Sequence, residues 1–201
     1  MALQQQKHSF ISQEDYLAGE LISEVKHEYI DGDVYAMAGA SKNHERIIGN
    51  VFAKLHAHLE NTPCEPFLSD LKIKVANSFF YPDAMVVCKD KTDHDYYTES
   101  PIIIIEVLSK STRKTDQALK RRAYQSLPSL NEYVLIEQDF IDVEICRKSN
   151  HWQSEHYFLG DEVHFATIDL SVSVEAIYAR VANEEMREFL ANRSDAINNH
   201  E

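Results

Sequence analysis

A glutamate stands where a strand should hold only apolar side chains. Residues 102–108 read IIIIEVL, the near-continuous apolar run of a central strand covered on both faces, and Glu106 interrupts it. A carboxylate in such a run must be paired, ligated to a cation or protonated, because leaving it ionised and alone is costly. A second acid, Asp83, follows Pro82 at the head of the apolar run DAMVVC, 83–88. Proline cannot donate to a strand ladder, which places Asp83 at the edge of its strand. Two neighbouring strands that each offer one acid on the same face bring their oxygens within reach of one hard cation. Mg²⁺ typically takes one or two protein carboxylates and completes its shell with water and phosphate. Blander readings stand beside this one: Asp after Pro is a common turn or strand cap, and Glu106 could pair with an arginine of the next helix.

That next helix adds an amine. Asp116, Lys120 and Tyr124 stand at i, i+4 and i+8, so they share one helical face. The short SKSTR segment joins the Glu106 strand to this helix, so the face could look back over the strand's end and bring the Lys120 ammonium near both carboxylates. The plain alternative is a solvated ion pair with Asp116. Lys114, Arg121 and Arg122 form either a solvated face or a phosphate-facing patch.

The elements that must position these residues follow from periodicity and turn chemistry. Ser12 caps a helix over 12–22 with Tyr16, Leu17 and Leu21 on one face. HEYIDGDVYA reads as a hairpin around Asp31-Gly32. Ser41 caps a helix over 41–60 with Ile47, Ile48, Val51, Phe52, Leu55 and Leu59 on its apolar stripe. LKIKV, 71–75, predicts a half-exposed strand with Lys72 and Lys74 outward, and the polar stretch 89–100 a loop. The basic helix 111–127 stops at Pro128. EYVLIE and DVEICR, 132–137 and 142–147, predict a hairpin, HYFLGDEVHF a last hairpin, and SVEAIYARV a short helix. The polar stretch 183–201, helix-like at EEMREFLA, is expected to fray. The whole predicts one mixed α/β domain over 1–182 with a flexible tail.

Composition narrows the function classes. The 201 residues suit one domain at roughly 150 residues each. No apolar run approaches the length of a membrane span, and MALQQQKHSF lacks a secretory pattern, so the expectation is a cytoplasmic protein. Cys64, Cys88 and Cys146 contain no CxxC pair and are expected as buried structural thiols. No HExxH, GxGxxG or GxxxxGK occurs. Twenty Lys and Arg against 33 Asp and Glu leave a net charge of −13, which speaks against non-specific coating of duplex DNA. The stretch from Asn183 holds five acids and two bases, a net of −3, so the body keeps −13 + 3 = −10. Yet Arg113, Lys114, Lys120, Arg121 and Arg122 crowd one helix, and a local basic edge can coexist with an acidic body.

The ordered set of motifs carries a resemblance. Pro82-Asp83, then 106 − 83 = 23 residues on the Glu-Val of IIIIEVLS, resembles the PD-(D/E)XK nuclease superfamily. HEYIDGDVYAMAGAS, NHERIIGNVFAKLHAHL, YPDAMVV, IIIIEVLSKSTRKTDQALKRRAYQSLPSLNEYVLIE and HYFLGDEVHF with SVEAIYARV resemble, more narrowly, the Uma-two family of endonucleases, from about Glu28 to Val181. The resemblance implies a restriction-endonuclease-like α/β fold, a central mixed sheet flanked by helices, with an N-terminal hairpin and C-terminal β additions. It implies Mg²⁺-dependent phosphodiester hydrolysis, with Mn²⁺ as a substitute, on nucleic acid, DNA foremost. Asp83 and Glu106 would hold the metal with the carbonyl of Val107. The superfamily lysine two positions after the Glu is here Leu108, and Lys120 on the next helix fits the vacated role. His44 and Glu28 fall in family-typical stretches and either face the site or brace it, and Tyr124 would bond the lysine or a phosphate. A homodimer would suit an enzyme that cuts two strands. The rivals are a nuclease fold that binds without cutting, a hydrolase of another phosphoester, and a structural, oligomer-forming protein.

Overall fold

The computed structural model describes residues 10–92, 94–110 and 112–198. In chain order it runs α1 (Gln13–Glu20), β1 (His27–Ile30), β2 (Asp33–Ala36), α2 (Lys42–Leu59), β3 (Cys64–Leu68), β4 (Lys72–Val75), β5 (Ser78–Phe80), β6 (Ala84–Cys88), β7 (Tyr97–Thr98) and β8 (Pro101–Leu108). A composite helix follows: α3 (Arg113–Thr115), a π-helical turn (Asp116–Lys120) and α4 (Arg121–Gln125). Then come β9 (Glu132–Glu137), β10 (Val143–Arg147), β11 (Ser154–Tyr157), β12 (Glu162–Phe165), β13 (Leu170–Ser173), α5 (Val174–Ile177) and α6 (Glu184–Asn198).

A six-stranded sheet, β11-β10-β9-β8-β6-β3, forms the centre. Within it β8 and β9 are parallel, joined by the composite helix, and the other pairs are antiparallel. Alternation along β8 decides what lies where. Ile103, Ile105 and Val107 pack with the α2 stripe of Ile47, Val51 and Leu55. Ile104 and Leu108 point the other way, with Tyr124 and Leu127. The same period of two sends Glu106 to the face covered by the composite helix. Both faces are buried, which is why this strand reads as a continuous apolar run.

A five-stranded sheet, β2-β1-β5-β4-β7, packs beside it, and β12 and β13 form a separate pair. The Asp31-Gly32 turn has positive φ at both residues, 49° and 102°, as a tight hairpin requires. Ser41 caps α2 by accepting the His44 N–H at 3.1 Å.

Several expectations need correction. Cys64 and Cys88 are not thiols: they face each other across β3 and β6 and form a disulfide, while Cys146 is free and buried. Strand pairing, invisible in their spacing of 24 residues, brings them together. Lys72 does not face solvent. It is buried, donates to the Tyr81 hydroxyl at 3.1 Å and lies 5.0 Å from that ring's centroid. HYFLGDEVHF is not one hairpin, since β11 pairs with β10 and β12 with β13. The polar loop 89–100 holds the short β7, which joins β4 in parallel. Leu21 is exposed beyond α1, leaving Tyr16 as that helix's buried anchor. Ser111, expected at the start of the basic helix, lies outside the described residues. Near the start of α6, Met186 is buried and Glu185 accepts the Ile141 N–H at 2.6 Å.

Candidate active site

The π turn solves a phase problem on the composite helix. In an α-helix a four-residue step overshoots a full circuit, so i, i+4 and i+8 drift around the axis. The wider π turn at 116–120 undershoots, and the α-helical step from 120 to 124 then overshoots. The two errors offset, and Asp116, Lys120 and Tyr124 all turn inward and are buried. Tyr133 donates to the Asp116 carbonyl at 3.1 Å and fixes the start of that turn.

Lys120 is the hub. Its Nζ lies 2.9 Å from Glu28 Oε1, 3.2 Å from Glu106 Oε1 and 3.2 Å from Asp116 Oδ1. The pair with Asp116 is therefore not the solvated one: Asp116 is 2% and Lys120 5% exposed. Tyr124 donates to Glu106 Oε1 at 3.0 Å. Glu28 arrives on β1, and its Oε1 also accepts the Tyr81 N–H at 3.3 Å, two residues before Asp83. Asp83 sits at the entry to β6, opposite the end of β8. Its Oδ2 accepts the Val107 N–H at 2.6 Å and bonds His44 Nε2 at 3.1 Å.

The seven residues singled out by sequence thus form two contacting groups: Glu28, Glu106, Lys120 and Tyr124, and His44, Asp83 and Val107. The contact seen at Val107 is through its N–H. Asp116, placed by sequence on the helical face of Lys120 and Tyr124 but given no role in the site, lines the same cluster. Its signal was its place one turn before Lys120 on a face that must look at Glu106. The basic patch shrinks, because Arg113 makes a forked bond to Glu137 at 2.6 and 2.5 Å, and Arg121 bonds Glu144 at 2.7 Å. Lys114 and Arg122 stay exposed.

Charge is unbalanced here. One ammonium meets three carboxylates directly, with Asp83 close by. Burial pushes the Glu106 carboxyl well above the ordinary range against the pull of Lys120, and Asp116 and Asp83 add repulsion. Burial raises Asp116 as well, with Lys120 opposing. Burial alone would lower Lys120, but Glu106, Glu28 and Asp116 outweigh it and keep the ammonium charged. Burial and Glu106 raise the Tyr124 phenol, so it remains a donor.

A divalent cation suits this arrangement. Asp83 Oδ1 and Glu106 Oε2 take no hydrogen bond from any described residue, while the second oxygen of each acid is held. The described residues include no group of three or more His, Cys, Asp or Glu arranged to hold a metal alone. Magnesium, content with one or two carboxylates, needs no such group.

A sequence profile of the Uma2 family, described as "Putative restriction endonuclease", matches residues 13–175. The chain belongs to the Uma2 family. Two Synechocystis proteins resemble it. "Uncharacterized protein slr1290" is 35% identical over 178 residues, 86% of this chain and 93% of that protein. "Uncharacterized protein sll1609" is 35% identical over 144 residues, 69% of this chain and 78% of that protein. A crystal structure of "a putative nuclease belonging to DUF820" from Anabaena variabilis matches with a TM-score of 0.69 and 18% identity, covering 86% of this chain and 99% of that one. At that identity the likeness is one of fold. This Uma2 protein has the restriction-endonuclease-like α/β architecture, and its family assignment is nuclease-like. Among its described residues no helix is long and apolar enough to cross a membrane.

Proposed function

We propose that this Uma2 protein is a Mg²⁺-dependent endonuclease that hydrolyses phosphodiester bonds of nucleic acid, with DNA as the favoured substrate. The observation that carries the reading is the surplus of buried carboxylate around Lys120, at the point where β6 begins and β8 ends. Asp83 and Glu106 are the ligands, each through the oxygen the protein leaves free, with the Val107 carbonyl as a third. When bound, the ion polarises a phosphoryl oxygen and makes hydroxide available near neutral pH.

The chain's own groups do the rest. Tyr124 and Lys120 hold Glu106 by one oxygen and fix its rotamer. The Val107 N–H does the same for Asp83. Glu28 and Asp116 anchor the Lys120 ammonium, which faces charge growing on the phosphoryl oxygens. Buried walls keep that attraction strong. A homodimer would bring two such sites to two strands, which light scattering would test.

Purified protein incubated with plasmid DNA and Mg²⁺ or Mn²⁺ should nick or cut it, EDTA should stop the reaction, and Asp83→Ala should be inactive. Equal cleavage by the wild type and Asp83→Ala sinks the assignment.

A further inference from the structure

We infer that His44 is a positioning residue: it clamps one oxygen of Asp83 so that the other is presented to the divalent ion. The inference rests on the reading of Asp83 as a metal ligand and assigns His44 a role within that site.

The position of His44 is built from several sides. It lies in the first turn of α2, its N–H held by the Ser41 hydroxyl, which in turn donates to Gln138 Oε1 at 2.5 Å, just beyond β9. Next to it, Asn43 donates to the Ala182 carbonyl at 3.2 Å and accepts the Ala182 N–H at 3.0 Å. The turn bearing His44 is therefore tied both to the central sheet and to the C-terminal segment. The imidazole, 14% exposed, reaches 3.1 Å to Asp83 Oδ2 through Nε2. That oxygen also accepts the Val107 N–H at 2.6 Å. Two protein contacts converge on one carboxylate oxygen, and no described residue donates to the other.

The remaining ring nitrogen excludes two plainer roles. Nδ1 is buried with no hydrogen-bond partner among the described residues, and the nearest carboxylate, that of Glu45, is 3.9 Å away. A residue there for packing alone would be apolar and would leave no orphaned nitrogen. A residue there for capping alone would need only its backbone N–H, which Ser41 already takes. What uses the imidazole is the contact with Asp83. Groups that orient a metal-binding carboxylate act through it, and their loss weakens the metal without touching substrate.

The test compares His44→Gln, whose amide nitrogen can take the place of Nε2, with His44→Asn, which carries the same amide one methylene short. Titration calorimetry of metal-free protein with Mn²⁺ reads affinity without catalysis, and plasmid cleavage separates kcat from KM. His44→Asn should lose about 10–100-fold in Mn²⁺ affinity and fall in kcat at unchanged KM, while His44→Gln should stay within about threefold of the wild type. Equal Mn²⁺ affinity in the two variants, whether as wild type or equally weak, overturns the positioning role while leaving the nuclease reading intact. A wild type that neither binds Mn²⁺ nor cuts DNA overturns both.

Discussion

Two clusters of buried charge lie on this fold and are built to opposite rules. At one, Arg147 donates through Nε to Glu132 at 3.0 Å, through Nη1 to Glu155 at 2.5 Å and through Nη2 to the His164 carbonyl at 2.6 Å. Glu132 in turn accepts the N–H groups of Ala166 and Thr167 at 3.0 and 3.2 Å. Both oxygens of the buried acid are used, and the planar fork of the arginine is filled. At the other, Lys120 is a compact point charge among three carboxylates, and Glu106 and Asp83 each keep an oxygen that no described residue fills. The difference teaches how to tell bracing from function. The Arg147 cluster also carries more acid than base, but its polar groups are filled by protein partners and hold elements together, whereas the Lys120 cluster leaves carboxylate oxygens that no described residue fills.

That contrast can be broken by mutation. The largest effect should come at the overloaded cluster. Asp83→Ala and Glu106→Gln should each lower cleavage by ~10³-fold or more, about 4 kcal/mol of barrier, and Glu106→Gln should unfold no earlier in urea than the wild type. Glu106→Gln keeps an acceptor for Tyr124 and Lys120 and removes surplus negative charge. A clear loss of stability in that variant would mean that Glu106 braces the fold.

Arg147→Leu should do the reverse. Stranding the buried Glu132 should cost about 3–4 kcal/mol in equilibrium unfolding, with cleavage per folded molecule unchanged. Next in size, Cys64→Ser should cost about 2–3 kcal/mol, because the disulfide constrains the unfolded chain. The cost should vanish when both proteins are melted in excess reductant.

The smallest effect should come one residue from Lys120, where Arg121 meets Glu144 in a balanced pair. Burial pushes the Glu144 carboxyl up, but the Ser154 hydroxyl and the Arg121 guanidinium more than reverse it, and it ends below its ordinary value of 4.5. A carboxyl lowered on folding adds stability that is present above its unfolded value and is lost as pH falls through the folded one. The urea-midpoint gap between wild type and Glu144→Gln, under about 2 kcal/mol at pH 7, should therefore close as pH drops below 4.5. A gap independent of pH would show that the pair contributes nothing through charge.

Much of the site was legible because its oddities are local. Glu106 declares itself against four preceding isoleucines, Asp83 by its proline, and Lys120 by its spacing from Asp116 and Tyr124. The hairpin at Asp31-Gly32 and the stripe of α2 were legible for the same reason: turn chemistry and periodicity act over a few residues. What escaped depends on partners far along the chain. Lys72 reads as exposed by alternation, but its outward face is roofed by Tyr81. Cys64 and Cys88 look unrelated until β3 pairs with β6.

Local sequence marks which strands are buried on both faces, which helix carries the amine, and that two acids stand where acids are costly. Local period and chemical type suffice for that, since each is set by near neighbours. Tertiary structure was needed to bring Glu28 and Asp116 to Lys120 and His44 to Asp83 across 39 residues, and to leave one oxygen each of Asp83 and Glu106 without a hydrogen bond from any described residue. Those facts depend on strand register and on the phase of one π turn, and both are settled by packing between distant segments.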